Sequence, residues 1–450
     1  MFNKNYWSMK KQLLVVGLAV ITMAMTSCSN DELVNNKAIS GTQQAIGFSA
    51  TTRGATRSTV VNKASDLGNF AVWGFWGDNT ALPENQDIYI GPNVKFTAYP
   101  AKGTAYYFNA VAGNAEVGTP PAHKLLAEVI NYTSSGWNYA SNDVWNWPYR
   151  EEEANKKYTG DVKLDFFAVS PATLTGVKIC GAGDVALDAK TIDYTTPEVN
   201  NQIDLCYAAA TDQSASGGGT VTLNFKHALS QIIFKAKKDN NMTVEVKSIE
   251  LCNIGKTGTF TMESTTDAQK KTKAGSWGSA TGKIASLPGF SASAAIAIED
   301  SYAGDEAPGK LLTDAGQELL IIPQTTTAWD PENETIATTT GAYVKVSCRV
   351  ARGTQWLIGG VQTDGTTALY ADRYFPVNLT WQQGKKYIYT LLFGGVKNAD
   401  KDDDNPGDDI GGGDNPGGYD DEGNVQPPTL AIRFSATLDD WEDANQDITF

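Results

Sequence analysis

Short runs of alternating apolar and polar residues recur along most of this chain, and they constrain its fold more than any other feature. The clearest runs lie at 70–73, 163–167, 221–225, 232–235, 343–348 and 387–391. A period of two is typical of strands, whose successive side chains point to opposite faces. Clusters of Gly, Pro, Asn and Asp separate the runs, and no long amphipathic helix pattern interrupts them. The sequence therefore predicts an all-β fold of sandwiches.

The length of 450 residues predicts two or three domains, because single cores rarely exceed about 250 residues. We place a domain break after Lys238, in the polar turn 237–241 between two strand-rich halves of similar size. The Ser and Gly cluster at 214–219 is a second candidate boundary. The preferred break gives an N-terminal domain at 45–238 and a C-terminal domain at 239–397.

The segment 398–428 is rich in Asp, Gly and Pro, a composition that predicts a solvated linker. It leads into a C-terminal segment at 429–450. A calcium loop of the EF-hand type does not fit, because Pro406 stands where an oxygen ligand is needed and no glutamate closes the loop. We predict no metal site here.

The formal net charge of -15 disfavours nucleic acid or anionic lipid as partners, since such a field repels phosphates. Five cysteines in a chain of this length are too few for a disulfide framework, and no Cys-x-x-Cys pair suggests zinc or redox chemistry.

The N-terminus is typical of an export signal. Two lysines precede an apolar run at 13–25, which is too short to span a bilayer and ends just before Cys28. The sequence Met-Thr-Ser-Cys at 25–28 resembles a lipobox, which implies a signal peptide at 1–27, lipidation of Cys28 and a polar tether at 28–44. Acidic Asp31 and Glu32 resemble a surface-export signal, so we expect an outer membrane lipoprotein at the cell surface. The alternative is an ordinary signal peptide with a chance cysteine.

Signatures of catalysis are missing from the sequence. The two histidines are His123 and His227, and no phosphate loop, zinc-protease motif or nucleophile elbow is present. A catalytic pair of His227 with Cys206 or Cys252 is conceivable, but nothing in the sequence brings these residues together. We therefore predict a structural histidine, no enzymatic activity and no cofactor.

Five tryptophans crowd the first half of the chain, and they allow two interpretations. They are Trp73, Trp76, Trp137, Trp145 and Trp147. Aromatic faces can stack on sugar rings, which would make a glycan-binding platform. Tryptophans in β-sandwiches more often fill the core.

Three stretches, together with the lipobox and in the same order, resemble the fimbrillins, which are subunits of type V pili, and related surface lipoproteins of Gram-negative anaerobes. The stretches are 223–234, 375–391 and 430–441. The resemblance implies two tandem transthyretin-like antiparallel β-sandwich domains with a C-terminal extension. It also implies that an arginine-specific protease removes the first strand, and that the open groove accepts a strand from another subunit.

The first and last strand candidates are almost identical. Residues 45–51 read AIGFSAT and residues 431–437 read AIRFSAT, differing at Gly47 against Arg433. Alternation puts one set of side chains into a groove in each strand: Ile46, Phe48 and Ala50 in the displaced first strand, and Ile432, Phe434 and Ala436 in the donor strand. The differing position is expected to face solvent. The alternatives are a shared β pattern by chance, or pairing of both strands within one chain.

Arg53 and Arg57 follow the first strand and are the candidate cleavage sites. The leading hypothesis is a structural subunit of a surface fimbria that polymerises with other fimbrial subunits and supports adhesion through a host or glycan receptor. One alternative is a surface lipoprotein that does not polymerise and binds glycans or host proteins. The third hypothesis is a hydrolase, but the sequence identifies no acidic pair that could serve as its catalytic residues.

Overall fold

The structure is a computed structural model, and it describes residues 45–52, 64–84, 88–90, 94–96, 98–103, 128–140, 145–152, 157–172, 177–179, 191–217, 219–263, 265–269, 271–299, 309–313, 318–394, 418–426 and 432–440. Within these ranges the only helices are three short 3-10 turns, at Ala64–Leu67, Val199–Asn201 and Ala215–Gly217. The all-β prediction is confirmed. None of the helices in the described ranges has the length and apolar character needed to cross a membrane.

Twenty-seven strands are described, and the first thirteen lie in the N-terminal half. These are β1 (Gly47–Thr52), β2 (Asn69–Trp76), β3 (Ile88–Ile90), β4 (Val94–Phe96), β5 (Glu128–Thr133), β6 (Gly136–Tyr139), β7 (Tyr149–Glu152), β8 (Lys157–Thr159), β9 (Leu164–Ser170), β10 (Val177–Ile179), β11 (Thr191–Thr195), β12 (Cys206–Gln213) and β13 (Thr220–His227).

The remaining strands follow after a two-residue step. These are β14 (Ser230–Lys238), β15 (Met242–Cys252), β16 (Thr257–Thr261), β17 (Ser276–Trp277), β18 (Leu287–Ala297), β19 (Lys310–Leu311), β20 (Leu319–Ile321), β21 (Tyr343–Arg352), β22 (Gln355–Ile358), β23 (Gly360–Val361), β24 (Ala368–Leu369), β25 (Ala371–Pro376), β26 (Lys385–Phe393) and β27 (Ile432–Asp440).

A seven-stranded sheet forms the centre of the N-terminal half, in the order β1-β13-β12-β9-β2-β5-β6. The first strand lies at one edge and runs parallel to β13, with Gly47 opposite Thr220 and Thr52 opposite Phe225. Every other pair of neighbours in this sheet is antiparallel. The chain's first described strand is therefore held along one side by the strand that ends this half.

Burial on both faces explains the composition of β9, whose seven residues are all buried. Phe166 packs into an aromatic-rich core on one face, and Phe167 packs into a second core on the other face. The second core includes Phe260, from the four-stranded sheet β10-β11-β16-β17. A strand that is covered on both faces typically has a nearly continuous apolar sequence, and the sequence of β9 fits this pattern.

The C-terminal half places two sheets around one large core. One sheet has the order β19-β14-β26-β27, with β20 also paired to β14, and the other has the order β18-β15-β21-β22, with β25 paired to β21. Two smaller sheets, β4-β3-β7-β8 and β23-β24, complete the described strands. The predicted domain boundary after Lys238 stays a prediction, and β14, which precedes it, pairs with β19, β20 and β26, which follow it.

Parallel pairing occurs in both halves. β1 runs parallel to β13, and β14 runs parallel to β26, so in each case an early strand lies beside a late one. Only Ala228 and Leu229, both fully buried, separate β13 from β14 along the chain.

Part of the predicted linker packs against the C-terminal half. Residues 418–426 form a tight turn whose Tyr419 pairs with Tyr374 of β25 through the backbone. The Tyr419 ring lies against the ring of Trp329. Gly418 is buried and Tyr419 is half-buried, whereas Asp421 and Glu422 are exposed, and the bounds of the linker stay a prediction.

Candidate functional site

The groove that holds β1 is the candidate functional site. Ile46, Phe48 and Ala50 have no exposed surface, and all three belong to the core of the seven-stranded sheet. The backbone N–H of Ile46 donates to the carbonyl oxygen of Trp145 at 2.7 Å, and that of Gly47 donates to Gly219 O at 3.0 Å. Ile46, Phe48 and Ala50 share one face of the strand, and their displacement by another strand stays a prediction.

Phe48 lies at the centre of an aromatic cage. Its ring centroid lies 5.5 Å from Phe166, 5.9 Å from Tyr139, 6.2 Å from Trp145 and 6.4 Å from Phe70. All four contacts are edge-to-face, the geometry that aromatic quadrupoles favour. Any strand that replaces β1 must present a side chain that fills this cage.

The opposite face of β1 is also covered. Ser49 is 1% exposed, and its Oγ donates to Thr222 Oγ1 at 3.1 Å. Asn224 Nδ2 donates to Thr51 Oγ1 at 2.9 Å. Gly47 is buried as well, so the expectation that its position faces solvent is wrong for β1 in its own chain. The sequence pattern separated the two faces of the strand, but it did not predict that the face with Gly47 and Ser49 is buried as well.

Two polar groups at the groove wall donate hydrogen bonds to the first strand or its neighbours. The hydroxyl of Tyr139 donates to Ile46 O at 2.8 Å, and Trp147 Nε1 donates to Gly219 O at 2.9 Å. Burial, and secondarily the charge of Glu128, raises the pKa of Tyr139 well above its usual 10.0, so the phenol stays protonated and remains a donor. Removal of residues 45–52 takes away the Ile46 carbonyl oxygen as well as the apolar filling of the groove.

The C-terminal strand pairs with its own chain. β27 runs antiparallel to β26 over nine positions, with Ile432 opposite Phe393 and Phe434 opposite Leu391. Ala436 lies opposite Tyr389. The described conformation is therefore the alternative in which both matching strands pair within one chain, although in different sheets. Transfer of β27 to another subunit stays a prediction.

Three predicted site residues, Cys28, Arg53 and Arg57, lie outside the described residues, as do the signal peptide and the tether. Arg53 comes directly after Thr52, the last residue of β1. A cut after either arginine would thus separate all of β1 from the rest of the fold.

All five tryptophans of the predicted sugar platform are buried, at 5% exposure or less. Trp145 and Trp147 pack against Phe48 and Phe166, and Trp137 packs against Phe70. A stacking platform needs an open ring face, so the platform interpretation of these residues is wrong. The interpretation that they fill the core is confirmed.

His227 and Cys206 lie together, a contact that the sequence allowed but could not establish. They occupy opposite positions on β13 and β12, with Cys206 Sγ 3.6 Å from His227 Nδ1. The same ring nitrogen lies 2.7 Å from Asp204 Oδ2. Only the register between the two strands brings the cluster together, and no local motif encodes that register.

This cluster lacks the properties of a nucleophile site. All three residues are buried, and burial, aided by the negative charge of Asp204, raises the pKa of the Cys206 thiol well above its usual value. Thiol and carboxylate both approach Nδ1, whereas a catalytic relay uses the two ring nitrogens separately. The arrangement supports the structural role predicted for His227.

The same three residues are the group in the described ranges whose side chains are close enough to hold a metal ion, with ligand atoms within 4.8 Å of one another. Two nitrogen or oxygen ligands of a tetrahedral zinc ion, each about 2.0 Å from the metal, lie about 3.3 Å apart. The 2.7 Å between His227 Nδ1 and Asp204 Oδ2 is instead a direct hydrogen bond. The spacing fits a hydrogen-bonded cluster better than a metal site.

Comparison with known proteins gives several matches. Fimbrium subunit Fim1C of Phocaeicola vulgatus is 31% identical over 156 residues, which are 32% of this chain and 38% of that protein. The chain thus matches well under half the length of this curated relative. Among solved structures, a candidate cell adhesion protein of Parabacteroides distasonis aligns with a TM-score of 0.37 at 9% identity, covering 90% of this chain and 99% of that one. The tip fimbrial protein Mfa3 of Porphyromonas gingivalis aligns with a TM-score of 0.30 at 10% identity, covering 87% and 99%.

The fimbrillin-like family profile matches residues 127–403, more than half of the chain. This span runs from the start of β5 through β26, and so includes most of the wall of the first-strand groove as well as β13 and β14. The resemblance seen in the sequence is confirmed, and the chain belongs to the fimbrillin-like family.

Proposed function

We propose that this protein is a structural subunit of a surface fimbria that polymerises by donor-strand exchange and supports adhesion. The observation that carries the proposal is the groove of β1, in which Ile46, Phe48 and Ala50 fill one continuous apolar core from a strand at the sheet edge. The C-terminal strand repeats these three residue types at the same spacing.

Loss of β1 would leave an incomplete fold. Six consecutive positions of β13, from Thr220 to Phe225, would lose their parallel partner, and the aromatic cage would open to water. Unpaired edge amides and exposed apolar surface together favour addition of a strand from another chain. The Ile-x-Phe-x-Ala pattern of β27 supplies side chains of the right size for one face of that groove, and Arg433 would take the position of buried Gly47.

Protease cleavage is the proposed trigger. A cut after Arg53 or Arg57 by an arginine-specific protease frees a segment that contains β1 and, with it, lipidated Cys28. Before the cut, acyl chains on Cys28 would hold the precursor on the outer membrane at the cell surface. Cleavage then couples release from the membrane to opening of the groove.

One observation favours the alternative, a surface lipoprotein that does not polymerise and binds glycans or host proteins. β27 is already paired along nine positions with β26 of its own chain. A subunit that kept this pairing would offer no donor strand. In that case adhesion would rest on the folded subunit, still anchored through Cys28.

The test uses precursor treated with an arginine-specific protease and examined for fibres by electron microscopy. Phe434→Asp and deletion of 429–450 should both abolish fibre growth, because an aspartate cannot occupy the aromatic cage and a deleted strand cannot be donated. Thr437→Asp is the matched control, because it matches half-buried Thr51, which accepts a hydrogen bond from Asn224 that an aspartate could also accept, and it should retain growth. Fibres of normal length from the deleted protein would disprove donor-strand exchange through β27.

The deleted protein should still accept a strand. Mixed with intact, cleaved subunits, it should cap fibres and shorten them in proportion to its share of the mixture. Fibres that keep their length in such mixtures would show that the groove of β1 is not the acceptor.

A further inference from the structure

The nine residues 418–426, which we name the linker latch, dock in an aromatic pocket of the C-terminal half. Trp329, Tyr343 and Tyr374 form this pocket with the Cys252 side chain, and Tyr419 packs against it. The latch lies between β26 and β27 along the chain, so it interrupts the segment predicted as a free linker.

Backbone and ring contacts both hold the latch in place. Tyr374 N–H donates to Tyr419 O at 3.1 Å, and Tyr419 N–H donates to Tyr374 O at 3.0 Å, which extends the sheet beyond β25 by one antiparallel bridge. The Tyr419 and Trp329 rings meet edge to face at 5.6 Å. Ile336 N–H donates to Asp421 O at 3.0 Å, so a loop outside the sheet also contacts the latch.

Local sequence shapes the latch for this pocket. Gly418 has φ +68°, and a Cβ there would lie 2.8 Å from the ring of Phe375. Gly423 has φ +87°, and a Cβ there would lie 2.5 Å from Pro331 O. Asp420 Oδ1 accepts the backbone N–H of residues 422 and 424 at 3.0 and 2.9 Å. Two glycines and an aspartate thus stabilise one specific turn in the latch.

The position of the latch sets the tether length of β27. Five residues, 427–431, separate Gln426 from Ile432, and they begin with two prolines. Such a tether spans at most about 20 Å. Without the latch the tether is the whole segment 395–431, whose 37 residues can extend to about 120 Å.

We propose that the linker latch holds the C-terminal strand on β26 of its own chain, and that the latch must open before this strand can be donated to another subunit. The second half of this inference rests on the proposed function, whereas the first half concerns the monomer alone. The ligand of the aromatic pocket is this chain's own acidic segment around Tyr419.

The change in tether length predicts how much loss of the latch should weaken the pairing of β27 with β26. The effective concentration of a tethered segment falls roughly as the -3/2 power of tether length. Lengthening the tether from 5 to 37 residues therefore lowers the effective concentration of β27 beside β26 by about 20-fold. Opening the latch should raise the population of released strand by about the same factor.

Hydrogen exchange of the uncleaved monomer, followed by mass spectrometry, tests the first half. Tyr419→Asp removes the ring from the pocket, and replacement of 418–426 by a Gly/Ser segment of equal length removes the latch entirely. Both should speed exchange of the amides at 432–440 by about 20-fold. Val425→Asp adds the same charge to the latch at a side chain that is 56% exposed, and it should leave exchange unchanged.

The Gly/Ser replacement makes the result decisive, because it removes the latch whatever the single substitution does. Unchanged exchange at 432–440 in that variant would overturn the inference. The second half is tested by fibre growth after cleavage, where latch-free variants should start growing sooner than the wild type and Val425→Asp should not. Fast exchange at 432–440 without fibres from any variant would reject the proposed function and leave the role of the latch intact.

Discussion

The rings of Phe48 and Phe166 meet edge to face, with centroids 5.5 Å apart and planes inclined at 81°. Their strands, β1 and β9, are separated by β13 and β12 in the sheet order. Strands in a flat sheet are about 4.8 Å apart, so two residues three strands apart would be about 14 Å apart. The two side chains must therefore span most of the distance between their strands, and they meet in the core to which both belong.

Phe48→Ala should destabilise the uncleaved protein by about 3–5 kcal/mol, because it empties the centre of the aromatic cage. The free energy of unfolding measured in urea is the readout. Leu311→Ala is the control, since Leu311 is 41% exposed and should cost far less. Equal losses from the two substitutions would contradict the central role of Phe48 in the groove.

Gly47→Arg places in β1 the residue that stands at the matching position of β27. Because Gly47 is buried, the added side chain should destabilise the uncleaved protein by about 1–3 kcal/mol through overpacking and loss of solvation. Urea unfolding again provides the measurement. Unchanged stability would indicate that this face of the groove accepts an arginine without displacement of its cover.

Asp204→Ala and His227→Ala each remove one partner of a buried hydrogen bond, and each should destabilise the protein by about 1–3 kcal/mol. The double variant should lose clearly less than the sum of the two, because neither partner is then left alone. Thermal or urea unfolding of the wild type, the two single variants and the double variant gives the coupling free energy between the two side chains. Strict additivity would mean that the 2.7 Å contact contributes nothing specific.

Cys28→Ala should abolish membrane association of the precursor, since Cys28 is the predicted site of lipidation. Incorporation of labelled palmitate and fractionation of the membranes are the measurements. Ser29→Ala serves as the neighbouring control and should keep the label. Equal palmitate in the Cys28→Ala protein would refute the lipobox interpretation.

Cleavage of the precursor is predicted to depend on Arg53 and Arg57. The double substitution Arg53→Lys with Arg57→Lys keeps the charge but removes both sites of an arginine-specific protease, so the precursor should stay uncut and form no fibres. Mass spectrometry of wild-type fibres should find a new N-terminus at Gly54 or Ser58. Polymerised material that still begins at Cys28 would contradict this prediction.

Period-two patterns predicted the fold class and the common face of Ile46, Phe48 and Ala50, because a strand's alternation depends only on its own residues. What the sequence could not predict depends on pairing between distant segments. Cys206 meets His227 through the register of β12 against β13. The burial of Gly47 likewise depends on segments outside its own strand. Tyr419 was missed for a related reason, since one aromatic residue does little to change the average composition of an acidic linker.

The near-continuous run of β13 into β14 has a mechanical consequence. A strand lying in the β1 groove is joined to β13 by parallel ladder bonds, and β14 is joined to β26 in the same way. A pull along the strand direction loads each of these ladders in shear, so that its bonds must break together and not one after another. The two buried residues between β13 and β14 thus connect two parallel ladders, one in each half of the chain.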